Sequence, residues 1–428
     1  MSTARLDGRT IYHLHALGAA GVAPVNPDPA AAAPCDRGLE RLRPWLDHVA
    51  ALGAGAVLLT PIFVSSTHGY DTVDPFRIDQ RLGDDADFDR FVATCQQRDL
   101  LLLLDGVFNH VGRAFPPFAD VCRSGPGSTA ARWFHVDAGR DDGDGFGYAA
   151  FEGHRELPAL DHDEPEVRHW ARRVVEHWSG RGVDGWRLDA AYAIPRPFLT
   201  ALVADLRRDR PDLFLFGEII HGDYAAFVTE TGLDSATQYE LHKAIWSSLN
   251  DANLFELAWA LDRHRSMVDV FAPVTFVGNH DVTRIASRLD RTDHLAAALA
   301  IVFGGPGIPC TYYGDELGWT GVKEERPGGD DAIRPPLPPQ PPVEAHPGTW
   351  AAHAELIATR RARPWLTRGR LEVHDLANHH ITVDVRARRG TGALRTTIDL
   401  DDPRPPPAAG WSQVFAGPHV TMSEPAAP

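Results

Sequence analysis

From residue 10 to about 365, short and almost wholly apolar runs alternate with amphipathic stretches. The runs TIYHLHALG (10–18), AVLLTPIF (56–63), 100–106, 185–189, 213–218, a weaker one near 234–241, 273–278 and IPCTYY (308–313) predict strands. Between them lie helical periodicities: 37–53, 85–99 with acidic residues in its first turn, 165–182 with Pro165 at its start, 195–210, 222–231, 242–267, the alanine-rich 291–304 and 349–364. Continuous apolar runs are the mark of strands buried on both faces, as in a parallel sheet. Eight strand–helix pairs in this order predict an α/β fold, a (β/α)8 TIM barrel. The barrel is expected over residues 1–110 and 165–368, with an insertion at 111–164 and a small C-terminal antiparallel β domain at 369–428.

Two irregular stretches and the tail complete this reading. Residues 111–164 are rich in Gly, Asp and aromatic residues, too long for an ordinary loop. Trp133, Phe134, Phe146, Tyr148 and Phe151 are expected to form its own small core, and the acidic run 141–144 a solvated loop. PPLPPQPP (335–342) excludes helix and central strand and predicts a wall or lid near the barrel mouth. TMSEPAAP at the end is expected to be disordered.

Four of the apolar runs end in carboxylates: LLLLLDGVFNH (100–110), GWRLDAA (185–191), LFLFGEII (213–220) and VTFVGNHD (274–281) deliver Asp105, Asp189, Glu218 and Asp281. A carboxylate at the end of a buried strand is costly unless it is paired or used. Barrel chemistry sits at the C-terminal ends of strands, so the four point to one shared site. Arg187 shares a strand face with Asp189, two residues on, and is expected to keep it ionised as a nucleophile. Glu218 follows LFLFG with no cation beside it in sequence, and desolvation is expected to suit it to general-acid work. Two carboxyls with diverging environments are the pattern of retaining glycoside cleavage, with a separation of about 5–5.5 Å.

These segments, with HGYDTVDPFRID (68–79) and GIPCTYYGDELG (307–318), resemble in order the signature regions of the alpha-amylase family of glycoside hydrolases (family 13). The branch most resembled is that of cyclomaltodextrinases, neopullulanases and oligo-glucosidases, without its usual N-terminal β module. The resemblance implies roles for individual residues. Asp189 would be the nucleophile, Glu218 the acid/base, and Asp281 a clamp on sugar hydroxyls. Arg187 would orient Asp189, His110 and His280 would bond the sugar being cleaved, and Tyr70 would stack on it. Asp105 and Asn109 would support the site from the third strand, and His221 is a candidate aglycone contact. It implies hydrolysis of α-1,4 bonds in short α-glucans, with an oligosaccharide as partner and no required cofactor. The alternatives on the same residues are a transglycosylase or isomerase, and a non-catalytic sugar-binding homologue. Departures stand out: Tyr192-Ala193 replace a frequent lysine–histidine pair, and Gly278 stands where an aspartate is common. The structural calcium of long-insertion relatives would use Asn109, and the short insertion here argues against it.

Bulk properties narrow the rest. A formal net charge of −16 argues against nucleic-acid or anionic-membrane partners. The apolar runs are too short to span a bilayer, and MSTARLDGRT has no signal-like apolar region, so a cytoplasmic monomer or homodimer is expected. Cys35, Cys95, Cys122 and Cys310 fit neither a metal knuckle nor a redox pair.

Overall fold

The computed structural model describes residues 5–31, 33–326, 328–340 and 347–426. Eight parallel strands carry the fold: β1 (Ile11–Leu14), β2 (Ala56–Leu59), β3 (Leu101–Gly106), β4 (Gly185–Leu188), β5 (Phe214–Gly217), β6 (Ser235–Ala236), β7 (Val274–Phe276) and β8 (Ile308–Tyr312). They run in the order β6-β5-β4-β3-β2-β1-β8-β7. A parallel bridge from Thr237 to Val274 joins β6 to β7 and closes the ring. The TIM barrel is therefore present. Its weakest strand, expected over 234–241, is only two residues long, because Gln238 caps a helix that starts at Tyr239.

Strand side chains alternate between two cores. Ile11, Leu58, Leu101, Leu103, Phe214, Phe216, Val274, Phe276 and Ile308 fill the barrel interior. Their neighbours, such as Tyr12, Leu59, Leu102, Leu104 and Leu215, pack outward against the helices. The helices form for local reasons. Asp84 and Asp87 make a reciprocal capping box at the start of helix Asp85–Gln97. Helix Pro165–Ser179 begins on Glu164 and Pro165 and buries Val167, Trp170, Ala171, Val174, Val175 and Trp178 along one stripe. The alanine-rich helix Leu295–Gly304 is buried all round. It lies between the barrel and a second, antiparallel sheet, with contacts to both.

That second sheet comprises β9 (Arg370–His374), β10 (His380–Arg386), β11 (Ala393–Asp399), β12 (Trp411–Gly417) and β13 (Val420–Pro425), in the order β9-β10-β11-β13-β12. The expectation of a disordered tail is corrected here. Residues 420–425 form an interior strand paired on both edges, and Val420 and Met422 are wholly buried. Apolar residues at every second position met a waiting core, which outweighed the polar composition. Positions 427–428 lie outside the described residues.

Between β3 and helix Pro165–Ser179 the chain forms a helix, Pro116–Ser124, and a two-stranded ribbon of Val136–Asp137 and Gly147–Tyr148. Phe118, Phe134, Phe146 and Tyr148 make the expected small core. Trp133 instead packs on Phe115 and Trp170. The run 141–144 is not merely solvated: Asp142 and Asp144 are held by Arg113, Arg140 and Arg155. The proline segment lies across the barrel, with Tyr313 and Trp45 donating to the carbonyls of Pro335 and Pro338. Positions 341–342 of that motif lie outside the described residues.

Candidate active site

The inward face of each strand changes from apolar to polar towards its C-terminal end. Leu101 and Leu103 are followed by Asp105, and Phe214 and Phe216 by Glu218. Register pairs Asp105 with Arg187 and Arg187 with Phe216, so β3, β4 and β5 bring their polar ends to one level. Arg187 is the hub. Its Nη1 lies 2.5 Å from Asp105 Oδ2 and 3.2 Å from Asp189 Oδ1, and its Nη2 lies 2.7 Å from Glu218 Oε1. All four groups are buried.

Glu218 has two further partners. The Ala190 N–H donates to Oε2 at 2.9 Å, and the Tyr239 hydroxyl to Oε1 at 3.1 Å. Ala190 takes a left-handed backbone, φ 44° and ψ 36°, which costs a non-glycine residue about 1–2 kcal/mol. This sharp turn directly after Asp189 is what aims the Ala190 N–H at Glu218.

Asp281 stands across the mouth. His280 Nε2 lies 3.0 Å from its Oδ2, and Arg334 Nη2 lies 3.0 Å from its Oδ1. Arg334 also donates to the His280 carbonyl at 2.9 Å and pairs with Asp330 at 2.9 Å. The Tyr70 hydroxyl contacts His280 Nε2 at 2.5 Å and Asp105 Oδ2 at 3.1 Å. His110 stacks on Phe151 with ring centroids 4.6 Å apart. The resulting cavity, about 500 Å³, is lined by Tyr70, His110, Asp189, Glu218 and Asp281 among others.

The electrostatics depart from the sequence reading in two respects. Glu218 is not free of a neighbouring cation, since Arg187 reaches it across the barrel at 2.7 Å. Nor does Arg187 single out Asp189: burial and the Glu218 charge push the Asp189 carboxyl well above the usual range, against the pull of the guanidinium. Three carboxyls share one arginine here, and adjacency along the chain could not reveal that. Burial also raises Asp281 and lowers His280 well below the ordinary imidazole value. Burial, with help from Arg187, takes His13 down to about 3, and burial takes His110 to about 3. His13, His110 and His280 therefore serve as neutral hydrogen-bonding groups.

The other predicted positions fall as follows. Asp105 is wholly buried beneath the cavity, held by Arg187 and Tyr70. His221 is exposed beside Tyr192, ring centroids 5.8 Å apart, and does not line the cavity. Asn109 is buried and contacts His110 Nδ1 through its side-chain nitrogen at 3.2 Å. Phe151 belongs to the cavity wall and not to the insertion's core.

Sequence reasoning missed several residues. Arg334, Lys323 and Asp330 enter the cavity from the loop after β8, and Tyr239 from the helix after β6. Glu152 accepts from the Tyr192 hydroxyl at 2.7 Å, spanning the insertion and the turn after β4. None of these has a local signature. His13 on β1 and His15 just past its end, both packed against His280, did carry one in IYHLH. The aspartate expected at 278 is also explained. A Cβ on Gly278 would come within 2.6 Å of Asp315 Oδ2, so a carboxylate from the end of β8 takes up that space. Arg284 holds Asp315 at 2.9 Å.

A (β/α)8 barrel with an insertion after its third strand, a C-terminal antiparallel sheet and three carboxylates at its mouth defines a narrow class. The profile of the alpha-amylase catalytic domain matches residues 39–338, and the chain belongs to that family. It is 32% identical over 289 residues to a cyclomaltodextrinase from a Bacillus species, covering 64% of this chain and 51% of that protein. It is 30% identical over 287 residues to an intracellular maltogenic amylase of Bacillus subtilis, covering 65% and 48%. The chain thus spans about half the length of these relatives. Among solved structures, the cyclic alpha-maltosyl-(1→6)-maltose hydrolase of Arthrobacter globiformis, in complex with maltose, superposes with a TM-score of 0.81 at 25% identity. That match covers 99% of each chain. No helix among the described residues is long and apolar enough to cross a membrane.

Proposed function

We propose that this protein is a retaining α-glycoside hydrolase acting on α-1,4 bonds of short α-glucans: cyclodextrins, maltodextrins and maltooligosaccharides. The observation that carries this is the convergence of Asp189, Glu218 and Asp281 on one cavity around Arg187. In the first step an ionised Asp189 attacks the anomeric carbon while a protonated Glu218 gives its proton to the departing glycosidic oxygen. In the second step Glu218 takes a proton from water, which attacks the same carbon and releases Asp189. The mechanism needs one proton on the pair, and the crowding of Asp105, Asp189 and Glu218 around a single guanidinium supports a site that keeps one. Asp281, held by His280 and Arg334, is suited to grip sugar hydroxyls as charge develops on the ring.

A second reading has a specific basis. The near end-to-end match to the Arthrobacter hydrolase favours cyclic glucans that include α-1,6 bonds. Product profiling against cyclodextrins, maltooligosaccharides, pullulan and cyclic maltosyl-maltose decides between the two. With maltotriose, pure shortening supports hydrolysis, and longer sugars would point to transglycosylation instead. The relative named as intracellular supports a cytoplasmic location, which cell fractionation tests.

Glu218→Gln is expected to cut kcat on maltooligosaccharides by about 10²–10⁴. An α-glucosyl fluoride, whose leaving group needs no proton, should suffer far less in its first step. Equal losses on both substrates would remove Glu218 from the acid role. Arg334→Ala should reduce kcat/KM by roughly 10–100-fold, the value of one charged hydrogen bond of about 1.5–3 kcal/mol to Asp281. An unchanged kcat/KM would show that Asp281 needs no such anchor.

A further inference from the structure

A second cluster of chemistry-bearing side chains lies where the C-terminal sheet meets the barrel. Asp293 and His294 precede helix Leu295–Gly304, and His419 sits in the tight turn between β12 and β13. One donor atom from each of the three lies within 4.8 Å of the others. None of these residues lines the catalytic cavity.

Three observations set this cluster apart from an ordinary polar contact. First, His294 is only 4% exposed, yet neither of its ring nitrogens makes a hydrogen bond among the described residues. The Leu249 carbonyl lies close to the ring, short of bonding geometry. Second, His419 Nδ1 faces the Asp399 carbonyl at 3.1 Å, which orients the ring so that its Nε2 points at Asp293 Oδ2, 3.3 Å away. A cation bridges these two groups. Third, His419 adopts φ 61°, in the left-handed region, at a turn position where glycine or asparagine is usual. Backbone strain of this kind persists where the side chain is needed.

In this structure the cation is Arg291, whose Nη2 lies 2.6 Å from Asp293 Oδ2 and 3.4 Å from His419 Nε2. Its side chain is more than half exposed, and it grips Asp293 through Nε at 3.1 Å as well. Asp293 borders a cavity of about 500 Å³ at the domain junction, which gives ions and water an approach. We infer that Asp293, His294 and His419 form a binding site for a divalent transition cation of the zinc class, which displaces Arg291 and ties the turn of the C-terminal sheet to the barrel. Two imidazoles and one carboxylate suit such an ion better than calcium or magnesium, and water would supply the fourth ligand. Binding would draw these donors, now within 4.8 Å of one another, to bond lengths of about 2.0–2.2 Å from the ion.

The test uses full-length, tag-free protein stripped with a chelator and titrated with Co²⁺, whose visible d–d absorption reports coordination. One equivalent should bind, Zn²⁺ should displace it, and Zn²⁺ should raise the thermal midpoint. His294→Ala and His419→Asn should each weaken binding at least 100-fold; asparagine tolerates the left-handed backbone at 419, so this variant keeps the turn. Arg291→Ala should bind at least tenfold more tightly, because the competing cation is gone. The proposal is overturned by absence of a Co²⁺ site in both wild type and Arg291→Ala. It is equally overturned by binding that survives in both histidine variants, or by weaker binding in Arg291→Ala.

Discussion

Asp189→Asn is expected to abolish turnover of maltooligosaccharides, with kcat reduced on the order of 10⁴–10⁶. The amide matches the carboxylate in shape but cannot form the glycosyl bond to the anomeric carbon. The fold should survive, because Arg187 keeps Asp105 and Glu218 as partners and one of three buried carboxyls has been neutralised. Circular dichroism and the urea midpoint check that, and steady-state kinetics check the loss. A smaller variant, Asp189→Gly, sharpens the result. Azide should enter the vacated space and attack the same carbon from the nucleophile's side, giving a glycosyl azide of inverted configuration. A kcat within tenfold of wild type in Asp189→Asn would remove the residue from the nucleophile role.

Arg187→Met carries the largest expected effect on stability, a loss of about 3–5 kcal/mol, because it strands buried charges without their only shared cation. The urea midpoint measures it. The loss should depend on pH in a definite sense. Removing the guanidinium raises the folded-state pKa values of Asp105 and Asp189 further above their unfolded values. A group with a raised folded pKa contributes stability below its unfolded pKa and loses it as pH rises through the folded one. The deficit should therefore be greatest near neutral pH and shrink towards about pH 3, below the unfolded carboxyl pKa of about 3.9, where the carboxyls are protonated in both states. A deficit independent of pH would mean that Arg187 acts by packing and not by charge. Arg187→Lys should recover only part of the stability, since one ammonium cannot serve three carboxylates in two directions.

The convergence at Arg187 also marks the limit of what a linear reading supports. The barrel was legible because its cause is local: apolar runs of strand length, helical stripes between them, and caps such as Asp84 with Asp87. The carboxylates were legible because a polar residue at the end of an apolar run is conspicuous. Their electrostatic roles were not, because Arg187 is two residues from Asp189 in the chain but closest in space to Asp105 and Glu218. Arg334 and Tyr239 were missed for the same reason. Each arrives from a loop or helix end whose position depends on how the whole ring closes. The tail at 420–425 was misread because its alternation needed the groove between β11 and β12 to give it meaning.

The sequence by itself determined the alternation that makes the barrel, the family to which the segments belong, and the identity of the three carboxylates at the mouth. These depend on period, spacing and residue type, which are properties of short stretches of chain. Only the tertiary structure decided which charges share a cation, which loop anchors Asp281, that Asp315 fills the space left by Gly278, and that Asp293, His294 and His419 meet at all. The deciding contacts join residues from 31 to more than 120 positions apart. Coulomb interaction and burial depend on distance through space, and that distance is set by ring closure and domain docking.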